Sequence, residues 1–441
     1  MNVVSPALPH AAPPTRRRFI VLFFLCTLTL VLYLDRVCFA QAVPAIKDEL
    51  EIGNEEIAYV AMAFTLAYGV FEVPVGRWGD RFGSRLTLTR IVLLWSLFTA
   101  LTGAAWSFGS MLAVRFLFGL GEAGALPNAM RVTTNWFPLA QRGRYRGLLI
   151  ACASLGGAVA PALAAWIIQQ IGWRWNFAVF GSVGLLWALA FYWWFRDRPA
   201  EHTGTNDAER ALIGPTGNPN AGRHEPIPWR FMLTNRNTLL LSLVITCSAF
   251  MTYLFFTWYS DYLQTVRQVE ATEAGWLSSL VLAGSTAGVL LGGFAGDRVR
   301  TPRARKWFCA GTSAGSAALF FLAMRSQSPL TMSWLFALSS LSLLCMQPLW
   351  WAFTAEIGGK HVGALFGFMN GVGGSGALAS QWFFGSFRDW RERQGYKGRD
   401  TADPAFWVYV VVLLGAALSW TLLDVRGLRG EGSKEMKDGR P

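Results

Sequence analysis

The chain has 441 residues, 53% of them hydrophobic and 15% charged, with a mean hydropathy of +0.33 and a formal net charge of +12. A soluble protein of this length would divide into domains joined by polar linkers. Here the apolar residues instead gather in blocks of about 20, the length that crosses ~30 Å of hydrocarbon as a helix. The Lys and Arg residues sit in short segments between those blocks, which argues against a nucleic-acid partner and for a membrane protein with basic cytoplasmic loops.

In chain order, residues 1–18 form a tail whose Thr15-Arg16-Arg17-Arg18-Phe19 superficially matches a twin-arginine signal. The apolar run behind it is too long for one, so the arginines are read as a cytoplasmic anchor. Spans are predicted at 19–40, 57–78, 86–106, 110–136, 146–171 and 174–195, giving a first six-helix bundle over 19–195. Residues 196–237, rich in Gly, Pro, Asn and Arg, read as a cytoplasmic linker. Spans at 238–262, 274–295, 307–324, 330–353, 362–384 and 404–423 make a second bundle over 238–423, and 424–441 a cytoplasmic tail. Basic clusters after the second, fourth and eighth spans and at both ends fall on one side if the spans alternate, so both termini are expected in the cytoplasm. The segment 388–399 disagrees: it should be external yet carries Arg388, Arg391, Arg393, Lys397 and Arg399.

The two halves repeat a Gly-rich Asp-Arg turn after their second span. The first reads Gly76-Arg77-Trp78-Gly79-Asp80-Arg81-Phe82-Gly83-Ser84-Arg85, the second Gly292-Gly293-Phe294-Ala295-Gly296-Asp297-Arg298. A duplicated membrane bundle is the build of a secondary transporter. Asp80, Arg81, Arg85, Asp297 and Arg298 are expected to form a cytoplasmic clasp that is made and broken as the halves rock. The six cysteines are scattered, and the four histidines fall in tails or loops. No metal site, cofactor or nucleophile–base set is expected, which speaks against an enzyme.

Ionisable groups at membrane depth cost several kcal/mol each and need a partner or a purpose. The first half has Asp35, Arg36, Glu72, Arg90, Arg115, Glu122 and Arg131; the second has almost none between its span ends. Asp35 and Arg115 both fall in the outer third of their spans and are expected to pair. Glu122, seven residues beyond Arg115 on the same face, lies near the midplane with no adjacent opposite charge. Arg36 projects about 100° from Asp35 and can face a cavity. Glu72, Arg90 and Arg131 sit nearer the cytoplasmic ends, where gate packing or snorkelling suits them.

These residues carry a resemblance. With Tyr33-Leu34-Asp35-Arg36, Ala67-Tyr68, Pro74 and the Gly76–Arg85 turn, Arg115-Phe116-Leu117-Phe118-Gly119-Leu120-Gly121-Glu122, Pro127, Trp136-Phe137-Pro138, Gly172-Trp173-Arg174-Trp175, Arg198-Pro199-Ala200-Glu201-His202 and Thr257-Trp258, the chain resembles the major facilitator superfamily along nearly its whole length. Within it, the chain is most similar to the anion:cation symporter family, which includes carriers of hexuronates, glucarate, galactonate, tartrate, phthalate derivatives, sialic acid and vesicular glutamate. The resemblance implies an all-α membrane protein of 12 transmembrane helices in two six-helix bundles. It implies proton-linked carboxylates at Asp35 and Glu122, a substrate carboxylate held by Arg36, Arg115 paired with Asp35, and sugar-acid contacts at Tyr33, Tyr68, Trp351 and Asn370. Two departures stand out. Glu356 replaces the family's usual Asp near the end of span ten, and Trp258-Tyr259-Ser260-Asp261 stands where relatives often carry Phe-Pro.

The expected function is proton-coupled symport of an organic anion, such as a hexuronate, aldonate or aldarate, by alternating access; sodium is less favoured because no converging oxygen ligands can be placed. A monomer in the inner (plasma) membrane is expected, with no nucleic-acid partner. Two alternatives stand beside this reading. One is an exporter or antiporter of organic anions on the same fold; the other is a sugar-acid receptor that does not transport, which the lack of a soluble signalling domain disfavours.

Overall fold

The computed structural model describes residues 13–214, 229–299 and 301–425; the side chains of Val73, Arg77, Asp80 and Lys360 lie outside the described residues. Among the described residues there is no strand. The first half consists of α1 (Arg17–Leu50), α2 (Asn54–Phe82), α3 (Ser84–Thr102), α4 (Phe108–Glu122), α5 (Ala125–Trp136), α6 (Arg142–Ile171) and α7 (Trp173–Trp194). Two short helices, α8 (Asp207–Ile213) and α9 (Trp229–Thr234), belong to the connection. The second half holds α10 (Arg236–Thr257), α11 (Tyr259–Asp261), α12 (Ala271–Arg298), α13 (Pro302–Arg325), α14 (Pro329–Leu344), α15 (Gln347–Gly358), α16 (Val362–Arg393), α17 (Arg399–Ala402) and α18 (Phe406–Leu422). Ten helical segments among the described residues are long and apolar enough to cross a membrane. The starts are written in the chain. Ser107, Asn235, Thr301 and Ser328 cap α4, α10, α13 and α14 by accepting from a backbone N–H three residues on, and Pro302 and Pro329 occupy first-turn positions that need no N–H.

Three features differ from the sequence expectation. Spans four and ten are each broken rather than continuous: α4 stops at Glu122 before α5, and α14 stops at Leu344 before α15. At the first break Gly124 has φ +81°, and a Cβ there would meet Val75 Cγ1 at 2.8 Å and Gly76 N at 2.9 Å, so only glycine suits it. Second, α1 continues to Leu50, so Asp35 and Arg36 lie near its middle rather than in an outer third. Third, α16 continues to Arg393, which turns much of the discordant basic segment into the last turns of a helix.

The halves pack by the same internal scheme. α1 lies on α6 in the first as α10 lies on α16 in the second, and the halves meet where α6 faces α12 and α2 faces α16. Close approach depends on small residues. Gly284, Gly288 and Gly292, four residues apart on α12, face backbone at Ala337 and Leu341 of α14 and at Cys345, its C-cap. The cross-half hydrogen bonds and ion pairs described lie between mid-depth and the face opposite the termini. Examples are Ala162 N donating to Ser279 Oγ (3.1 Å), Thr65 to Gln381 (3.1 Å), Ser260 to Gln41 (2.6 Å) and Lys47 to Asp261 (2.6 Å). The structure is therefore closed at the face opposite the termini.

Candidate functional site

The broken helix delivers Glu122 to the centre of the first half. It is fully buried. Opposite it, α1 presents Tyr33 and Arg36 on one face, three residues apart, and α2 presents Phe64 and Tyr68, four apart. The Arg36 guanidinium lies over Tyr68 (4.3 Å to the ring centroid), Tyr33 (5.4 Å) and Phe64 (5.5 Å). Its Nε donates to Glu122 Oε1, and its Nη2 is in ion-pair contact with the same oxygen. Glu122 Oε2 and Arg36 Nη2 have no hydrogen-bond partner of their own. One edge of the pair is thus unspent. The Arg36 side chain is 11% exposed and that of Glu122 1%. Tyr68 donates to Glu72 Oε1 at 3.1 Å, and Tyr253 of α10, from the other half, falls within electrostatic reach of Arg36.

The expected Asp35–Arg115 ion pair is not formed. Asp35 is buried, and neither carboxylate oxygen has a hydrogen-bond partner; Trp95 and Thr99 of α3 approach it. Arg115 is buried too, but its guanidinium is caged by Phe39 (4.5 Å), Phe118 (4.6 Å) and Phe64 (5.1 Å). The longer α1 sets Asp35 deeper than expected, and the aromatic faces satisfy Arg115 through cation–π contact instead. Glu122, expected to lack an adjacent cation, has Arg36.

In the second half Trp351 meets Trp350 (5.8 Å) and Phe366 (6.2 Å), and its Nε1 is buried without a partner. Asn370 is exposed on α16. No hydrogen bond, ion pair or ring contact of Trp351 or Asn370 with Arg36, Tyr33 or Tyr68 is among those described.

At the first Gly-Asp-Arg turn Arg85 donates to the Tyr192 carbonyl from Nε (2.9 Å) and Nη2 (2.7 Å). Arg81 stacks over Phe82 (5.3 Å). Asp197 caps α3, accepting from Ser84 N (2.6 Å) and Arg85 N (3.0 Å). The Asp80 side chain lies outside the described residues. In the second turn Asp297 and Arg298 are exposed, and Arg298 reaches the Phe294 carbonyl at 3.4 Å. Glu356 pairs instead with Arg305 (3.0 Å). Arg90 lies over Trp78 at 3.8 Å. Sequence reasoning missed the buried Lys47–Asp261–Arg388 cluster; its signals were the basic segment that broke the loop-charge pattern and the departure that ends at Asp261.

Residues 25–380 match the family model described as Major Facilitator Superfamily. The chain belongs to the Major Facilitator Superfamily. It is therefore a multi-pass membrane transporter with the 12-helix, two-bundle fold, and not an enzyme. Among relatives of this superfamily member, a probable sulfoacetate transporter of Cupriavidus necator is 31% identical, over 84% of this chain and 87% of that protein. The hexuronate transporter of Bacillus subtilis is 27% identical, over 79% and 83%. The D-galactonate transporter of Escherichia coli O6:H1 is 30% identical, over 65% and 69%. Among solved structures, an inward-facing, unoccupied bacterial homologue of the human lysosomal transporter Spinster superposes with a TM-score of 0.78 at 19% identity, over 93% of this chain and 97% of that one. That likeness and the one to the D-xylose–proton symporter (TM-score 0.73, 13% identity, 93% and 99%) show the shared fold.

Proposed function

We propose that this protein takes up a small organic anion by proton-coupled symport through alternating access, and that the anion is a sugar acid such as a hexuronate, aldonate or aldarate. The observation that carries the reading is the Arg36–Glu122 pair: a buried guanidinium with unspent donor capacity, walled by tyrosines, whose counter-ion is a titratable carboxylate. A substrate carboxylate can take Arg36 only by competing with Glu122. A proton on Glu122 removes the competitor and keeps the loaded site close to charge balance, so the loaded carrier can reorient at tolerable cost. Asp35, buried without a hydrogen-bond partner beside Arg115, is a second carboxylate able to carry a proton. Tyr33 and Tyr68 would contact the body of the substrate, with Trp351 and Asn370 closing on it from the second half.

The named relatives support an anionic substrate, since hexuronate, galactonate and sulfoacetate are all small organic anions. In this reading the protein works as a monomer in the inner membrane with both termini in the cytoplasm, bundles over 19–195 and 238–423, and a linker over 196–237. The Gly-Asp-Arg turns with Asp80, Arg81, Arg85, Asp297 and Arg298 would close the cytoplasmic side when the opposite face opens.

The test is a thermal-shift screen of the purified wild type and Arg36→Lys against hexuronates, aldonates, aldarates and aromatic acids at two pH values. Stabilisation follows ligand binding directly. A sugar acid should stabilise the wild type more strongly at the lower pH, and Arg36→Lys should lose most of the shift because the planar fork is gone. Equal shifts in the two proteins would remove Arg36 from the site.

A further inference from the structure

α1 ends and α2 begins at the closed face, and there the first half meets the second through two buried or half-buried carboxylates. Asp261, on α11, is fully buried. Its Oδ1 pairs with Lys47 of α1 at 2.6 Å and its Oδ2 with Arg388 of α16. Asp389, the next residue of α16, accepts from Asn54 Nδ2 (2.7 Å) and from the backbone N–H of Glu55 (2.7 Å). Glu55 N–H is an orphan donor in the first turn of α2, whose N-cap residue, Gly53, has no side chain to satisfy it. The second half therefore caps a helix of the first. Glu55 adds an outer contact to Arg393 at 3.5 Å.

The partners divide in a particular way. Arg388 and Thr265 lie in the same half as Asp261, and Thr265 Oγ1 accepts from Arg388 Nη2 at 3.2 Å. Asn54 lies in the same half as Lys47, whose Nζ donates to Asn54 Oδ1 at 2.9 Å. When the halves separate here, Asp261 keeps Arg388 and Lys47 keeps Asn54. Of the charged contacts here, the Lys47–Asp261 pair, the cap from Asp389 and the outer Glu55–Arg393 pair break, along with neutral hydrogen bonds such as Ser260 to Gln41, and the two buried charges each keep a partner. A buried pair that loses one partner is costly because the other charge is left bare; a resident partner on each side avoids that state.

We propose that Lys47–Asp261 and Asp389 with the α2 N-terminus form a reusable latch that holds this face shut during the transport cycle, and that Arg388 is a positioning residue which keeps Asp261 ionised and aimed in both states. Asp261, at the end of the Trp258-Tyr259-Ser260-Asp261 stretch, supplies the acidic half of the latch.

The experiment uses full-length protein with its native cysteines removed and spin labels at Glu51→Cys and Gln394→Cys, two exposed sites on opposite halves at this face. Distance distributions are measured alongside thermal stability in nanodiscs. Lys47→Gln should raise the ratio of long to short distances about tenfold or more, the worth of one charge-assisted hydrogen bond, with little loss of melting temperature. Asp389→Asn should act in the same direction. Arg388→Gln should lower the melting temperature with a smaller change in distances, since it removes a resident partner and not the cross-half contact. Gly53→Ser, which offers α2 a cap from its own half, should blunt the effect of Asp389→Asn. Unchanged distances in folded Lys47→Gln and Asp389→Asn, or a shift in Arg388→Gln as large as in Lys47→Gln, would overturn the latch.

Discussion

Replacing Glu122 by Gln separates the two things its carboxylate does in the structure. Arg36 places Nε and Nη2 on a single oxygen of Glu122, and the Arg36 side chain is only 11% exposed. Neutralising Glu122 therefore strands a largely buried guanidinium beside an amide. Breaking a buried pair by removing one partner costs about 3–5 kcal/mol, and the amide oxygen of the new side chain, still able to accept from Arg36, returns roughly 1 kcal/mol of that. The empty protein should be less stable by roughly 2–4 kcal/mol. An organic anion supplies the missing charge, so most of this loss should reappear as tighter binding, on the order of 10- to 100-fold at 1.4 kcal/mol per decade. The pH dependence should vanish as well. In the wild type, protonation of Glu122 removes the competitor for Arg36, so affinity rises as pH falls; Gln cannot titrate, so the mutant should bind with one affinity at both pH values. Calorimetry at two pH values measures both effects, and uptake into proteoliposomes with an imposed pH difference measures the third: exchange retained, concentration against a gradient lost. Weaker or equal binding in a folded Glu122→Gln protein, or affinity that still climbs as pH falls, would refute the competition between Glu122 and substrate for Arg36.

Gly124→Ala should lower thermal stability by at least 1–2 kcal/mol, because φ +81° disfavours a side chain and the new Cβ would press on Val75 and Gly76; an unchanged melting temperature would mean that the α4–α5 break relaxes freely. His202 is buried against Trp136 and Trp194 in the connection after α7, and burial, together with Arg17 and Arg196, pushes its pKa below the usual value. The folded state thus binds fewer protons here than the unfolded one. The contribution is full above about pH 6.5 and is lost progressively as pH falls below it. Melting temperatures measured between pH 5.5 and 7.5 should show a fall toward the acid end that His202→Phe flattens.

Hydropathy and charge spacing were enough to read the twelve spans, their division into two sets of six and the superfamily motif. Each rests on a local rule: a backbone in lipid must satisfy its own hydrogen bonds, so every crossing announces itself as an apolar run of helical length. The residues that make up the first-half cluster were legible for the same reason, since Asp35, Arg36, Arg115 and Glu122 are charges where charge is expensive. Their pairing was not. Asp35 and Arg36 are neighbours about 100° apart on one helix, so the axial rotation and true length of α1 decide which of them meets α4. The structure gives Glu122 to Arg36 and surrounds Arg115 with Phe39, Phe64 and Phe118. The breaks at Ala123–Gly124 and Cys345–Met346 were not read from hydropathy because each falls inside a single apolar span, although Gly124 and the nearby Pro127 and Pro348 are the residue types that punctuate a helix. In the sequence, Arg388 read as a loop charge, Asp261 as part of a departure at the end of span seven, and Lys47 carried no signal of its own. They become one cluster only when α1, α11 and α16 converge, because an ion pair between residues more than a hundred positions apart is set by how helices pack, and hydropathy along a single helix carries no record of its neighbours.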